Sequence, residues 1–394
     1  RYWGCPIPII HCIVCGIVPV PENELPVLLP KVENFMPKGR SPLADVPEFM
    51  NVKCPKCGGE AQRDPDTMDT FVCSSWYYLR YLDAQNDKAP FDKEKDRSWM
   101  NIDLYVGGIT HATGHLIYFR FFQKFLKELG WTKDEEPVIR MFNHGMVADA
   151  EGEIMSKSKG NVVSPVELMD QRGVDISRLG MYFTAPSERE VLWSNDTLTG
   201  VEKFVINKFY PLIEKTSGAK PDLKKHFNKS ELIKSDWNLY IKLNQTIKRV
   251  QESYDQLQFN TAISALMELV RDFEQSLPES NESKDYIIYK AVQLIAPMTP
   301  HLAEEMWEEF GFKESVFKSN WPEFDEKALV GDSIMIAIQV NGKLRDSVSV
   351  AVDAHQETVE KAAFESAKIR TFTDNKEIVK KVFVPGRILN IVVK

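Results

Sequence analysis

The sequence predicts a multidomain chain of mixed class: an α/β segment, an all-α bundle and a small α+β domain of ββαββ order. Three observations predict it. Between Phe71 and Trp193, short β-like runs alternate with helical ones, the pattern of a parallel sheet with crossover helices. From about residue 195, apolar residues recur at spacings of three and four, as in amphipathic helices. Beyond about Ser333, two strand-like runs flank Asn341-Gly342, a strong hairpin-turn signal. The expected boundaries are 1–70, 71–194, 195–325 and 333–394.

Residues 1–70 hold five of the six cysteines, four of them in two Cys-x-x-Cys pairs: Cys12 with Cys15, and Cys54 with Cys57. Each such turn aims two thiolates at one point, and two turns complete a tetrahedral sulfur shell suited to a structural zinc. Gly16 and Gly58-Gly59 let the backbone bend around the metal. Four plain reduced thiols are the alternative; a redox pair would need only one of the two motifs. The proline-dense stretch between the pairs reads as an irregular excursion rather than a domain of its own. Cys5 and Cys73 lack partners at metal spacing.

In 71–194, the run DTFVCSSWYYLRY spaces Phe71, Ser74 and Tyr77 three apart, on one predicted helical face. That stripe serves either core packing or a pocket lining. In NIDLYVGGITHATGHLIYF, a strand is expected to end in a Gly107-Gly108 turn, with a helix beginning around Thr110. Such a turn is where α/β sheets admit nucleotides. His111 and His115 then fall at i and i+4 on one face. HATGH lacks the glutamate of a zinc-protease pair, so a polar pocket wall or structural histidines are the readings left. Next, Gly145-Met146-Val147 looks like a strand end, and a loop follows: Met155, Ser156, Lys157, Ser158, Lys159, Gly160, Asn161. Lysines among small residues on a loop can clamp polyphosphate; a solvated loop is the bland alternative.

The bundle is expected in four or five helices, from KFVINKFYPLIEK to APMTPHLAEEMWEEF. Lys242, Lys248 and Arg249 read either as phosphate contacts or as a solvated face. A Trp321-Pro322 turn and an acidic linker lead to the tail, whose helix is expected over 355–368. Residues 333–394 carry 10 Lys plus Arg and 7 Asp plus Glu, a basic piece in a chain of net charge -8. That net charge excludes an evenly basic nucleic-acid binder. No run approaches the roughly 18–20 apolar residues of a membrane span. The opening, with Pro6, Pro8 and His11, is no signal peptide. A cytoplasmic location is expected. Because the first residue is Arg1, the chain is expected to start partway through a longer protein.

At MSKSKGN followed by VVSP, the residues resemble the KMSKS signature of class I aminoacyl-tRNA synthetases. RYWGCPIP, DTFVCSSWYYLRY, YVGGITHATGHLIYFRF, IAPMTPHLAEEMW and IQVNGKLRDSV are similar to the leucyl-tRNA synthetase family of bacterial type. Isoleucyl and valyl enzymes share the first and the KMSKS-like pieces, but differ at SSWYY and lack the NGKLR tail. The resemblance implies the second half of a Rossmann-like catalytic domain with a zinc-binding insertion, then an anticodon-binding-type bundle. The substrates implied are leucine, ATP with Mg2+, and tRNA(Leu). It places Phe71, Ser74, Tyr77, Tyr105, His111 and His115 around the leucine side chain. Gly107, Gly108, Thr110, Met146, Val147 and Met155 fall at ATP. Lys157 is the stabiliser of pyrophosphate charge, supported by Ser156 and Lys159. Lys343 and Arg345 of the tail would grip tRNA.

Ile154 stands where the signature's first lysine belongs, and Thr110 replaces an acidic residue expected at the ribose. The family's His-x-Gly-His signature and editing domain precede RYWG. They are therefore expected in cis or on a separate chain, leaving this one inactive alone. A non-catalytic tRNA-binding subunit of a split enzyme is the other reading.

Overall fold

Glycine placement shapes the first elements. Gly16 and Gly58 take φ of +71° and +75°, a left-handed region that a Cβ disfavours. They help turn two hairpins, β1 (Ile9–Cys12) with β2 (Gly16–Pro19), and β3 (Asn51–Lys53) with β4 (Glu60–Arg63). β1 also pairs antiparallel with β4, giving the sheet order β2-β1-β4-β3. Ile10, Val18, Val20 and Ala61 are buried on it with Cys12 and Cys54. The computed structural model describes residues 4–32, 39–329, 333–351, 354–374 and 376–394. Residues 1–3 of RYWGCPIP, 33–38 of the proline-rich excursion and 330–332 of the acidic linker lie outside the described residues. The rest of the excursion is irregular as expected, with short 3-10 turns and helix α1 (Pro47–Met50). The cysteine pairs sit at the ends of the two hairpins: Cys12 closes β1, while Cys15, Cys54 and Cys57 lie in the turns.

The chain divides into two compact units, Arg1–Met146 and Val147–Lys394. In the first, α2 (Thr70–Ser74), α3 (Tyr77–Leu82) and α4 (Lys93–Trp99) precede strand β5 (Ile102–Gly108). Helix α5 (His115–Glu128) then crosses to β6 (Val138–His144), and β5 and β6 pair in parallel. This is the expected strand-helix-strand order, with three corrections. Phe71, Ser74 and Tyr77 do not share one helix, because the chain breaks at Ser75 and Trp76 between α2 and α3. Gly107 and Gly108 are no turn: they continue the parallel register opposite Asn143 and His144. Helix α5 starts at His115, not Thr110. Residues Ile109–Thr113 form a separate 3-10 turn, and Gly114, at φ −129° and ψ −106°, divides the two. The core under these elements is Tyr78, Leu79, Phe91, Leu116 and Phe119.

The second unit opens with β7 (Val147–Ala148), parallel to β8 (Val191–Leu192). Between them lie α6 (Pro165–Arg172), capped by the Ser164 hydroxyl, and α7 (Val174–Thr184). The KFVINKFYPLIEK segment is not one helix. Helix α8 (Asn195–Phe204) passes through a π turn at Val205–Phe209, and α9 (Leu212–Lys215) follows. The bundle helices are α10 (Lys234–Asp255), α11 (Phe259–Gln275), α12 (Asn281–Ile295) and α13 (Pro300–Glu309). They share one large core that includes Leu243, Ile247, Leu266, Tyr289 and Met306. Helix α14 (Glu326–Leu329) lies before the tail.

In the tail, β9 (Ser333–Val340) and β10 (Lys343–Ala351) form the expected hairpin, with Asn341 and Gly342 at φ +52° and +78°. The expected single helix is two, α15 (Gln356–Glu365) and α16 (Ala367–Thr373). Ser366 ends the first and caps the second by accepting from the Ile369 amide. β11 (Ile378–Val384) and β12 (Ile388–Val393) complete the order β10-β9-β12-β11, making the tail ββααββ.

Asp236, fully buried at the start of α10, accepts hydrogen bonds from the Glu279 and Ser280 amides at 3.1 and 3.0 Å. Those bonds tie α10 to the entrance of α12. Asp236→Ala leaves two amides without their acceptor, at a cost of about 2–4 kcal/mol. The expected readout is an earlier denaturant midpoint, whereas Lys242→Ala, on a partly exposed ion pair, shifts it by less than about 1 kcal/mol.

Candidate functional site

In the first unit, five of the six predicted pocket residues converge through their side chains. The Tyr105 hydroxyl is 2.8 Å from the Tyr77 hydroxyl and 2.8 Å from His115 Nε2. Its ring stacks on Phe119 at 4.8 Å. Phe71 lies 6.3 Å edge-on to His111 and 6.5 Å from His115, centroid to centroid. It also covers Gly114, where a Cβ would come within 3.2 Å of its ring. A larger residue there would have to push the ring back by a few tenths of an ångström. Ser74 is the exception, since its hydroxyl donates to the Phe71 carbonyl at 3.3 Å on its own helix. Tyr118, 6.0 Å from Phe71, completes the cluster and was missed. Its signal is the i+3 spacing from His115.

Burial, and secondarily His111, holds the His115 imidazole below its ordinary pKa. Burial, then the Tyr77 hydroxyl, pushes Tyr105 up. His115 and Tyr105 thus favour their neutral, hydrogen-bonding forms among the rings. The site can enclose an apolar side chain while offering polar atoms at fixed points. Beside it, Gly107 has open space where its Cβ would be, whereas Gly108 faces His144 at 3.5 Å. Thr110 is exposed.

The second unit carries the lysine loop. Ile154 bridges Ala148, and the Met155 amide donates to the Val147 carbonyl at 2.9 Å. The Ile154 side chain thus belongs to a paired segment, not to the charged part of the loop. Val147 and Met155 line an apolar hollow of about 300 Å³ with Leu168, Met181 and Trp193. Asn161 draws the loop closed. Its carbonyl accepts from the Ser156 amide at 2.9 Å, and its amide donates to Asp149 at 2.7 Å. Lys159 Nζ is 2.6 Å from Glu153, which raises its pKa. The Lys159 amide donates to the Ser156 hydroxyl at 3.3 Å. Lys157, by contrast, is exposed; its carbonyl accepts from the Gly160 amide at 3.3 Å, but its ammonium has no hydrogen bond or ion pair among the described residues. The structure separates one tied lysine from one free one. Asp149 and Glu153 were missed, although the acidic DAEGE turn with Gly152 at φ +84° precedes the loop.

The four sulfurs of Cys12, Cys15, Cys54 and Cys57 lie within 4.8 Å of one another, and Cys12 is 3.7 Å from Cys57. Zinc at about 2.3 Å from each sulfur of a tetrahedron spaces the sulfurs by about 3.8 Å. The donor set fits such an ion, and all six cysteines are free of disulfides. Burial works to raise the Cys54 thiol, but the Cys57 and Lys56 amides outweigh it and bring it down to about 7. That favours the thiolate at Cys54, whereas the hydrogen bond with Cys57, then burial, pushes the Cys15 thiol up to about 12.

In the tail, Lys343 is exposed beside the hairpin turn. Arg345 occupies a register shift between Leu344 and Asp346, and its guanidinium stacks 4.1 Å from the Phe372 centroid. In the bundle, Lys242 and Arg249 pair with Glu268 at 2.9 and 3.2 Å. Lys248 lies 5.7 Å from the Phe324 ring.

Residues 1–194 match the family described as tRNA synthetases class I (I, L, M and V), and residues 236–361 match the anticodon-binding domain of tRNA ligase. The chain is 44% identical to the leucine–tRNA ligase of Thermosipho melanesiensis and 45% identical to that of Caldanaerobacter subterraneus subsp. tengcongensis. Each comparison covers 100% of this chain and 48% of the relative. The chain thus spans about half the length of the curated relatives it matches. Its structure is similar to the LeuRS of an Agrobacterium radiobacter K84 LeuRS–tRNA–LeuAMS ternary complex. The TM-score is 0.79 at 33% identity, covering 100% of this chain and 50% of that one.

Replacing His111 by Asn removes the ionisable neighbour that opposes protonation of His115. An NMR titration is expected to move the His115 pKa upward, yet leave it below the ordinary imidazole value because burial persists.

Proposed function

Because the chain belongs to the class I tRNA synthetases, among the leucine–tRNA ligases, we propose that it supplies the phosphate-handling loop and tRNA-binding parts of leucine–tRNA ligation. The observation that carries this reading is the division of labour in the lysine loop. Glu153 takes up Lys159, Asn161 closes the loop, and the Lys157 ammonium is left for a ligand.

In this reading, the leucine carboxylate attacks the α-phosphorus of ATP and pyrophosphate leaves. Lys157 stabilises the negative charge that builds on the leaving phosphates, which is electrostatic catalysis without a covalent nucleophile. Ser156 and Lys159 act as positioning residues for Lys157. Phe71, Tyr77, Tyr105, His111 and His115 surround the leucine side chain, with Tyr118 behind Phe71. Ser74 contributes through the backbone it braces. Gly107 and Gly108 admit the nucleotide backbone closely. Met146 and Val147, with Met155, lie beside the adenine, and Thr110 offers a hydroxyl where an ionised acceptor would bind ribose more strongly. Magnesium is expected to enter with the ATP phosphates. The LeuAMS and tRNA of the similar ternary complex support leucine, an adenylate-like ligand and tRNA as partners.

The domain assignment follows the same reading: 1–70 with the zinc site, 71–194 catalytic, 195–325 the bundle, and 333–394 gripping tRNA. Lys343 is an exposed cation at the tail hairpin, while the Arg345 guanidinium lies against Phe372. Zinc would be held by Cys12, Cys15, Cys54 and Cys57, and would fasten the two hairpins together. The remaining length of the relatives would supply the other part of the active site, in cis or as a separate chain. A cytoplasmic location fits this role, and no helix among the described residues is long and apolar enough to cross a membrane.

In a protein that also carries that remaining length, Lys157→Ala is expected to slow leucine-dependent ATP–pyrophosphate exchange by about 10²–10³-fold. Lys159→Ala should cost far less. Equal losses from both changes would remove the assigned division of labour.

Elemental analysis of the purified chain is expected to give about one zinc per molecule. Cys54→Ser with Cys57→Ser should abolish it and lower the melting temperature. A metal-free wild-type chain of the same stability would overturn the zinc assignment.

A further inference from the structure

A second cavity, of about 400 Å³, opens in the helical bundle. None of the groups used above lines it. Helix α12 presents Tyr286, Lys290 and Gln293 to it, at i, i+4 and i+7 on one face. Asp222, Lys224 and His226 come from one loop, and Ser319, Asn320, Trp321 and Glu323 from another.

Two groups at its base are unusual. Lys290 is only 4% exposed, yet its ammonium has no hydrogen bond or ion pair among the described residues. Its neighbour is the Tyr286 ring, 5.4 Å away. Gln293 is also 4% exposed. Its amide nitrogen donates to the Ser319 hydroxyl at 2.8 Å and the Asn320 carbonyl at 3.1 Å. Because a carbonyl can only accept, the orientation of that side chain is fixed. The Gln293 carbonyl oxygen is then buried without a donor. An almost buried ammonium without an ion pair or hydrogen bond among the described residues, and a buried acceptor without a donor, three residues apart, line one cavity. Each is costly to leave unpaired.

We propose that this cavity binds a free α-amino acid or a closely similar small zwitterion. The carboxylate pairs with Lys290, and an N–H of the α-ammonium donates to the Gln293 carbonyl. The exposed carboxylates of Asp222 and Glu323 at the mouth complement the ammonium and oppose a multiply charged anion such as phosphate. Trp321 and Tyr286 offer apolar surface to a side chain. Burial lowers the Lys290 pKa to about 8, while Glu323 and Asp222 pull it back up. An arriving carboxylate relieves that penalty by holding the ammonium form. The site is separate from the aromatic–histidine pocket and from the lysine loop, and does not rest on their assigned roles.

The test is competitive labelling of the full chain with trace acetic anhydride, read peptide by peptide by mass spectrometry. The Lys290 rate is taken relative to Lys224 at the rim. Glycine, L-alanine and L-glutamine serve as probes, with inorganic phosphate as the control anion; leucine is left out because a pocket for it is proposed elsewhere. At roughly ten times a millimolar dissociation constant, one of the amino acids is expected to slow Lys290 labelling about tenfold. Gln293→Leu should keep Lys290 reactive and remove that protection. Glu323→Gln, a change at an exposed residue, should weaken protection by the amino acid and strengthen that by phosphate. Unchanged labelling with every amino acid would overturn the proposal, as would equal protection of the wild-type chain by phosphate.

Discussion

The second unit is organised around the burial of one helix. From Asp285 to Ile295, every residue of α12 is withdrawn from water, so the polar residues among them must find partners within the protein. Most do. Asp285 accepts from the Ser217 amide and hydroxyl, and the Tyr286 and Tyr289 hydroxyls donate to the Lys225 and Ala219 carbonyls. These bonds bring the 217–227 loop onto the bundle, and Gln293 does the same for Ser319 and Asn320. Two irregular stretches thereby acquire fixed positions from a single helix. A helix face built this way specifies its surroundings far more sharply than an apolar one, because each partner has a direction as well as a contact.

A different economy governs the lysine loop, where almost nothing is buried. Order comes from Asn161, which bonds both ends of the loop to itself through one planar amide, and from Asp149, which receives it. The Asn161 amide and the Glu153 and Glu151 main-chain amides, with Lys159 nearby, hold the Asp149 carboxyl below its usual range. A loop stabilised by its own polar groups keeps its shape without a core. It can therefore present one cation to solvent and keep another in reserve against Glu153. The two lysines differ in partner, not in residue type.

Much of this was legible in the sequence where the signal is local. The two cysteine pairs, the hairpin at Asn341-Gly342 and the lysine loop were each written in residues close together along the chain. The aromatic–histidine cluster was legible in membership but not in construction. A spacing of three suggested one helix for Phe71, Ser74 and Tyr77, yet Ser75 and Trp76 divide it and turn Ser74 back onto its own backbone. The helix at His115 was misjudged because Gly114, which ends the preceding 3-10 turn, fits against Phe71 from a distant segment. No local pattern announces such an approach. Lys290 was invisible for a related reason. In sequence it is one more charged residue on an amphipathic helix, and only the packing of the neighbouring loops removes it from water.

The π turn at Val205–Phe209 has a consequence for how this chain tolerates change. A π turn accommodates one extra residue within a continuous helix. Downstream side chains are thereby rotated by about 100° relative to those before it. Phe204, just before it, and Phe209, its last residue, are both buried in the bundle core, so the two helical pieces are phased to the same core only while the extra residue is there. Deleting a single residue from 205–209 would restore a regular helix and turn everything from Tyr210 onward to a different face. Length, more than composition, is what this segment has to conserve.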